Sequence, residues 1–402
     1  MRILYGYSNC TDKKYNELMN ERGASAMVPD QKYHGLLIKG LAANGAEVRC
    51  CSGLPVNRAV TSRKLIRERD EQEGGAHYHY ITTLNFPVIR QLMIMCGSFF
   101  TVMGEKKAKD TYAVCDSLNT AAAAGFLLAC RLRRIPKAGI VTDLPDMFSG
   151  SRITRGVRNF IMRRFDGFVF LTDHMNIVNK RGKPYIVLEG HADAEAVTAA
   201  ANERYEASDG TKIAMYAGNI SSEYGVITMA EAFAGADIPG AELRAYGGGR
   251  DSAQLAKIAA EHPSVKYMGS RPNADIVAEE QRVSLLINPR PVSHAYNKYS
   301  FPSKTIEYMV SGTPVLTTRL PGIPGEYEPY LYYIDDDSAD GISKAVKRVL
   351  SLPYEERLSK GAEAREFVLR NKSNVVQAKK IIDFLSTMKK RGRSSYDTAE
   401  KA

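Results

Sequence analysis

The stretch Tyr299–Leu316 reads YSFPSKTIEYMVSGTPVL. A polar, proline-bearing turn enters a helical segment, Ser303–Ser311, which Gly312 ends before a β-branched run restarts over Pro314–Thr317. Proline suits a first helical turn because it has no N–H to leave unsatisfied there, and Ser300 or Ser303 can cap. Amides at such an N-terminus attract an anion, and Lys304 adds a cation beside them. Glu307 lies one turn further in, far enough to meet sugar hydroxyls rather than phosphate. In open α/β sheets ligands gather beyond the carboxyl ends of the strands, and a strand ending near Asn288–Arg290 leads into this turn.

The rest of the second half repeats the pattern. Strands are expected at KIAMYAGN from Lys212, at Ala241–Tyr246 ending in GGGRD, at Val265–Met268 and at Val283–Asn288. Helices are expected at Gly225–Phe233, Ser252–Glu261 and Ala274–Gln281. The first half alternates likewise, with strands at Ile3–Tyr7, Glu47–Cys51, His77–Thr82, Tyr112–Cys115, Gly139–Thr142, Gly167–Leu171 and Tyr185–Leu188. Helices Tyr33–Asn44 and Thr120–Leu132 lie between them, and residues 8–33 read as a long polar connection. Strands separated by helices imply right-handed βαβ units and parallel sheets covered on both faces. With 402 residues, the economical architecture is two Rossmann-like α/β domains, 1–200 and 211–370, joined by the polar stretch 201–211. Residues 373–390 form an amphipathic helix of their own.

Charge is unevenly spread. Residues 1–200 hold 28 Lys and Arg against 19 Asp and Glu, whereas residues 201–402 hold 27 against 26, so an anionic partner is expected in the first half. RITRGVRNFIMRRF, residues 152–165, sets Ile153, Val157, Phe160 and Ile161 on one stripe, with five arginines over the remainder. Such a helix can lie on anionic lipid, or pack on the sheet with a solvated basic face. No aromatic-interleaved basic motif points to nucleic acid. The apolar segment 86–104 reads as a buried or interfacial helix rather than a membrane span. The six cysteines, with no CxxC pair, read as small core residues in a reducing compartment. His77 and His79 share a strand face but have no third ligand in view, so no metal site is expected. The chain reads as cytoplasmic.

At this point MYAGN (Met215–Asn219), YGGGRD (Tyr246–Asp251), VKYMGS (Val265–Ser270) and PSKTIEYMVSGTPVL (Pro302–Leu316) resemble the nucleotide-sugar domain of retaining GT-B glycosyltransferases of family 4. The variant NPR…YSFPSKTIEYMVSGTPV is similar to the bacterial capsular and exopolysaccharide branch. The resemblance is weaker in the first half, through QKYHGLLIKGL, TDLP and IVLEGHAD. It implies two facing Rossmann-like domains, donor held by the second and acceptor by the first, with the 373–390 helix crossing back to the first. It also implies transfer from a nucleotide-diphosphate sugar, UDP favoured, with retention and without a catalytic metal or other cofactor. A lipid-linked saccharide or polysaccharide acceptor at the inner face of the cell membrane would suit the basic helix 152–165 and the charge of the first half.

By the same resemblance Glu307 binds the nucleotide ribose, the amides of Ser303, Lys304 and Thr305 hold the diphosphate, and Gly218 allows close approach to the donor phosphates. Gly269, Ser270 and Arg271 lie where the base is contacted. Asp143, in TDLP, lies where such folds put a donor-sugar contact, although a strand-end polar residue is the plain alternative. Three departures stand out. Tyr299 occupies the place of a sugar-positioning Glu. Asn219 and Tyr224 occupy the places of a cationic pair. The first loop of the first domain lacks a Gly-Gly pair. Because a departing diphosphate needs fixed positive charge, Arg290, Lys298 and Lys304 become the candidate replacements, Arg290 foremost for its bidentate fork. A nucleotide-sugar epimerase and a non-catalytic, sugar-nucleotide-binding subunit remain as alternatives.

Overall fold

The computed structural model describes residues 1–21, 29–56, 60–106, 108–144, 152–195, 204–236, 238 and 240–397. The chain divides into two units, Met1–His191 with Ser373–Ala402, and Ala192–Lys372.

The first unit opens with β1 (Arg2–Gly6), α1 (Asp12–Asn20), α2 (Pro29–Ala43), β2 (Glu47–Ser52) and the short strands β3 (Leu65–Ile66) and β4 (Glu71–Glu73). It continues through β5 (Ala76–Tyr80), β6 (Thr83–Leu84), α3 (Pro87–Gly104), β7 (Thr111–Asp116), α4 (Thr120–Leu132) and β8 (Lys137–Val141). It then adds α5 (Arg152–Met162), β9 (Gly167–Phe170) and β10 (Tyr185–Val187). Eight strands form one sheet in the order β10-β9-β8-β7-β1-β2-β5-β4, parallel except for the β4–β5 edge. β1 is central. Ile3 and Tyr5 on one face and Leu4 on the other are all buried, as a strand covered on both sides requires. Residues 8–33 are not one long loop: the Thr11 hydroxyl accepts the Lys14 amide and starts α1, a capping signal that the polar composition concealed.

Cys10, Cys50, Cys51, Cys115 and Cys130 are buried, as small apolar side chains, but Cys96 is exposed on α3. His77 and His79 do share the exposed face of β5, where His77 meets Gln72 and His79 meets Asp70. Among the described residues no group of three or more His, Cys, Asp or Glu could hold a metal.

The second unit begins with α6 (Tyr205–Asp209), so the stretch expected to be a linker over 201–211 is in part helical; its residues 201–203 lie outside the described residues. Arg204 donates to Thr313 Oγ1 at 2.8 Å and Tyr205 Oη to Glu279 Oε1 at 2.8 Å, which ties this segment to its own unit. Next come β11 (Lys212–Ala217), α7 (Val226–Gly235), β12 (Ala241–Tyr246), α8 (Ser252–Glu261), β13 (Val265–Gly269) and α9 (Asn273–Glu280). β14 (Leu285–Asn288), α10 (Ser303–Val310), β15 (Val315–Thr318), β16 (Tyr332–Ile334), α11 (Ala339–Leu350) and α12 (Tyr354–Lys372) complete it. All six strands are parallel, in the order β13-β12-β11-β14-β15-β16. This is the doubly wound order, and its direction of winding reverses between β11 and β14.

The last helix, α13 (Asn374–Asp397), belongs to the first unit and packs on α2. Asn374 Nδ2 donates to Leu36 O at 3.1 Å and Asn44 Nδ2 to Val375 O at 2.8 Å. Ala378, Ile381 and Leu385 are fully buried in that unit's core. Only a glycine fits at Gly40, because a Cβ there would stand 2.2 Å from Asn374 O.

Candidate functional site

Where the winding of the second unit reverses, the loops following β11 and β14 lie side by side. Gly225, with φ +74°, packs so closely that a Cβ would come 2.0 Å from Pro289 O. The crossing therefore requires a glycine twice over, for its left-handed backbone and for its lack of a side chain. Tyr308 of α10 locks the end of β11 by accepting the Ala217 amide at 2.9 Å and donating to its carbonyl at 3.2 Å.

Arg290 follows β14 into this crossing. It is only 8% exposed, with its guanidinium carbon 5.4 Å from the ring centroid of Tyr224 and 4.9 Å from that of Tyr296. Its carbonyl accepts the Thr318 hydroxyl at 2.6 Å, which fixes the backbone. Among the described residues its Nε has no hydrogen-bond partner. A buried donor without an acceptor is costly, and the two aromatic faces attract the cation through their ring quadrupoles. An anion arriving here meets a prepared donor.

The helix that the opening stretch predicted is present. Neither Ser300 nor Ser303 caps it, however: Pro302 stands at the N-cap with no side-chain bond, and its carbonyl accepts the Thr305 amide at 2.8 Å. Of the three amides singled out, Thr305 is thus engaged and its side chain fully buried, whereas Ser303 and Lys304 head the helix ahead of its first internal bonds. Lys304 reaches back over β11. A Cβ on Gly218 would touch its Cε at 2.8 Å and Tyr216 Oη at 2.9 Å, so the close approach at Gly218 is made first by the protein itself. Lys304 Nζ also lies 3.5 Å from Glu307 Oε2, both side chains being partly exposed.

Around this point the fold gathers Gly218, Arg290, Lys304, Glu307 and Tyr224. Asn219 is exposed, and its carbonyl accepts the Tyr216 hydroxyl at 3.0 Å. Gly269 lies two strands away at the end of β13, where its carbonyl accepts the Gly247 amide at 2.9 Å, and Ser270 and Arg271 follow it exposed. Tyr299 closes a 3-10 turn, Ala295–Tyr299, with Lys298 Nζ 4.9 Å above its ring. Lys298 itself is exposed, whereas Arg290 is buried at the crossing and Lys304 is half-buried beside Gly218.

Asp143 is in the first unit, exposed just beyond β8; its neighbour Pro145 lies outside the described residues. Beside it, at the end of β7, is a residue the sequence analysis did not single out. Asp116 is buried and accepts the amides of Leu118 at 3.0 Å and Asn119 at 3.1 Å. Burial pushes its carboxyl up to about 7 against those amides, with Asp30 and Asp143 adding repulsion. The signal was legible in CDSLNT: an acid at a strand end, then an asparagine that caps α4. Nearby Tyr5 Oη lies 2.6 Å from His34 Nδ1, and the His34 ring stacks on Tyr7 at 3.8 Å. Burial holds His34 neutral by lowering it to about 3.

Two doubly wound α/β units in one chain are the make-up of the GT-B glycosyltransferase fold. More particularly, residues 198–367 match the family model Glycosyl transferases group 1, which spans nearly all of the second unit. Comparison with curated proteins finds no match. Among solved structures the chain is similar to a sucrose-phosphate synthase from Thermosynechococcus elongatus at 15% identity and TM-score 0.68, covering 96% of this chain and 99% of that one. It is similar to Anabaena Alr3699/HepE in complex with UDP at 12% and 0.64, covering 96% and 100%. An alpha,alpha-trehalose-phosphate synthase (UDP-forming) from Burkholderia xenovorans, in complex with glucose-6-phosphate, gives 12% and 0.65, covering 96% and 99%.

Proposed function

We propose that this chain transfers a glycosyl unit from a nucleotide-diphosphate sugar, UDP favoured, to a lipid-linked saccharide, with retention of configuration and without a catalytic metal. In the transfer the anomeric carbon–phosphate oxygen bond breaks, the acceptor oxygen bonds that carbon, and the acceptor's proton leaves with the nucleoside diphosphate. The observation that carries this reading is Arg290, a buried guanidinium with an unengaged Nε at the switch point of a group 1 domain. It supplies fixed positive charge where the diphosphate departs, in place of the cations missing at Asn219 and Tyr224. Lys304 and the leading amides of α10 add to it, and Glu307 is assigned to the ribose.

Placement in family 4, in the capsular and exopolysaccharide branch, rests on the motif PSKTIEYMVSGTPVL. Two similar structures are synthases whose names specify phosphorylated sugars, and an anionic acceptor agrees with the positive charge of the first unit. The lipid-linked form of that acceptor draws on the basic helix at 152–165, and places the enzyme at the inner face of the cell membrane.

The test is a thermal-shift screen against UDP, GDP, ADP and CMP with common attached sugars, followed by donor turnover by the purified chain alone. A ligand at 100 times its dissociation constant adds about 2.7 kcal/mol, a readily measured rise in midpoint. A shift with UDP-sugars and turnover without a partner support the transferase. A shift without turnover under any acceptor supports the non-catalytic subunit, and no shift with any nucleotide removes both.

A further inference from the structure

α3 is out of place on a water-facing surface. Over its 18 residues it has one charge, Arg90, and only Ile94, Ser98 and Val102 are buried. Those three form one stripe, and on the opposite side Val88, Leu92, Cys96 and Phe100, spaced four apart, are all exposed with Ile89 and Met103 beside them. α3 does not stand alone. Its backbone touches α4, since a Cβ on Gly125 would fall 1.8 Å from Met95 O, and α4 in turn packs on α5. Leu128 and Leu132 of α4, and Val157 and Phe160 of α5, are exposed as well. Of the fourteen large apolar side chains exposed among the described residues, ten lie on these three helices or immediately before α3. Scattered exposed apolar residues are ordinary, but a contiguous set of this size marks a docking face.

What covers it is set by charge. Residues 86–104, 119–134 and 152–164 contain nine arginines and no acid, which equals the whole excess of cations over residues 1–200. Between α4 and α5 runs a groove of about 960 Å³ with Met95, Leu128, Val157 and Phe160 in its walls and Arg131, Arg163 and Arg164 along its rim. Asp166 also lines it but is neutralised by Lys137 at 2.9 Å. The stripe expected on α5 is split: Ile161 is buried, whereas Val157 and Phe160 turn outward, with the Arg164 guanidinium 4.2 Å above the Phe160 ring.

We propose that the exposed face of α3, α4 and α5 docks the protein onto an anionic phospholipid bilayer, with the groove taking a lipid acyl chain and the arginines its phosphates. α3 is long and apolar enough to span by composition, but β5 before it and β7 after it in the chain belong to one sheet. It therefore lies along the surface, about 27 Å of helix in the interface, rather than crossing it. The proposal deepens the lipid-linked reading of the acceptor, and it assigns the principal contact to α3, with α5 as the basic flank.

The full chain is mixed, without donor, with vesicles of phosphatidylcholine alone or with about 30% phosphatidylglycerol in roughly 0.1 M salt. The protein is expected to float with the anionic vesicles and far less with the neutral ones. Arg131→Ala/Arg163→Ala should weaken binding about 30-fold, each near-surface cation contributing roughly fivefold. Leu92→Ser/Phe100→Ser should also weaken it, while Ile177→Ser, exposed elsewhere in the unit, should not. Since the chain has no tryptophan, Phe100→Trp provides a single indole, excited selectively at the red edge, whose emission should shift to the blue on anionic vesicles, and Ile177→Trp should not shift. Failure of the parent chain to float, equal flotation of Leu92→Ser/Phe100→Ser, or an unshifted Phe100→Trp would overturn the proposal. So would a concentration-dependent dimer that Leu92→Ser/Phe100→Ser abolishes while vesicles are ignored, which would give the face to a second copy. No arm uses a nucleotide, so the donor reading stands or falls separately.

Discussion

The guanidinium carbon of Arg290 lies 5.4 Å from the ring centroid of Tyr224. Tyr224 occupies the place where the resembling family has a cation after the first loop of this domain. Here that place holds a ring, and the ring faces a cation brought in from the loop after β14. The two loops adjoin because the sheet reverses its winding between β11 and β14. Under the proposed function Arg290 would supply, from one side of the switch point, the charge missing from the other, with its backbone fixed by Thr318 and its side chain set between two aromatic faces.

Arg290→Ala should lower turnover by about 10²–10³, the scale of removing one fixed donor from developing negative charge, and change donor affinity less. Arg290→Lys should recover only part of the loss, because an ammonium keeps the charge but not the planar fork. Arg348→Ala serves as the control, since Arg348 is on the exposed side of α11 and donates to Tyr333 O at 2.7 Å. Steady-state kinetics of all three decide the matter: equal losses at Arg290 and Arg348 would take Arg290 out of the site.

Glu307 is partly exposed and pairs loosely with Lys304, so its removal should leave the unit folded. Glu307→Ala should weaken binding of the nucleotide sugar by roughly 10- to 100-fold, the worth of one or two hydrogen bonds to a charged acceptor. Calorimetric titration of the donor measures this directly. An unchanged affinity in a variant with an unchanged melting point would dismiss the ribose assignment.

Much of this was legible beforehand, for a physical reason. Strands buried on both faces of parallel sheets give apolar runs, and glycine and proline punctuate them, so Ala241–Tyr246, Ser252–Glu261 and Thr120–Leu132 could be placed to the residue. Arg290 could be nominated because a strand end in a doubly wound sheet points at the ligand. Its two aromatic walls could not, since Tyr224 and Tyr296 reach it only through the folded crossing. α1 is hard to read because its capping signal, Thr11, lies inside a polar run. For Asp116 the local pattern CDSLNT marks an acid at a strand end before a helix cap, but its burial depends on the folded unit. The outward face of α3 was ambiguous for a similar cause: an apolar helix reads alike whether protein or lipid covers it.

Gly225→Ala should destabilise the second unit and disturb Arg290 together. Its φ of +74° costs an L-residue about 1–2 kcal/mol, and the new methyl would meet Pro289 O at 2.0 Å, next to Arg290 itself. A fall in melting midpoint of about 5–10 °C is expected, with activity reduced below that midpoint as well. Gly235→Ala is the contrast. Nothing lies within 4 Å of a Cβ at the end of α7, so alanine there should be neutral or raise stability by up to about 1 kcal/mol. Matching melts for the two alanine variants would contradict the crossing described above.

Asp116 gives the first unit a pH dependence with a definite sign. Its carboxyl is raised by burial from 3.8 to about 7, so the folded state holds a proton that the unfolded state releases near pH 4. Its contribution is fully present below about pH 4 and is lost as pH rises through 7, with a ceiling of roughly 4 kcal/mol. His34 acts in the opposite sense. Lowered to about 3, it contributes fully above its ordinary 6.5 and loses that contribution as pH falls toward 3. The two trends partly cancel in the parent chain, so the parent's profile alone does not separate them. Asp116→Asn removes only the first, keeping one oxygen to accept the Leu118 amide. The variant's stability relative to the parent, followed by denaturant melts, should therefore be greater at pH 8 than at pH 4. A difference that is flat, or that runs the other way, would mean that Asp116 is ionised in the folded protein across this range.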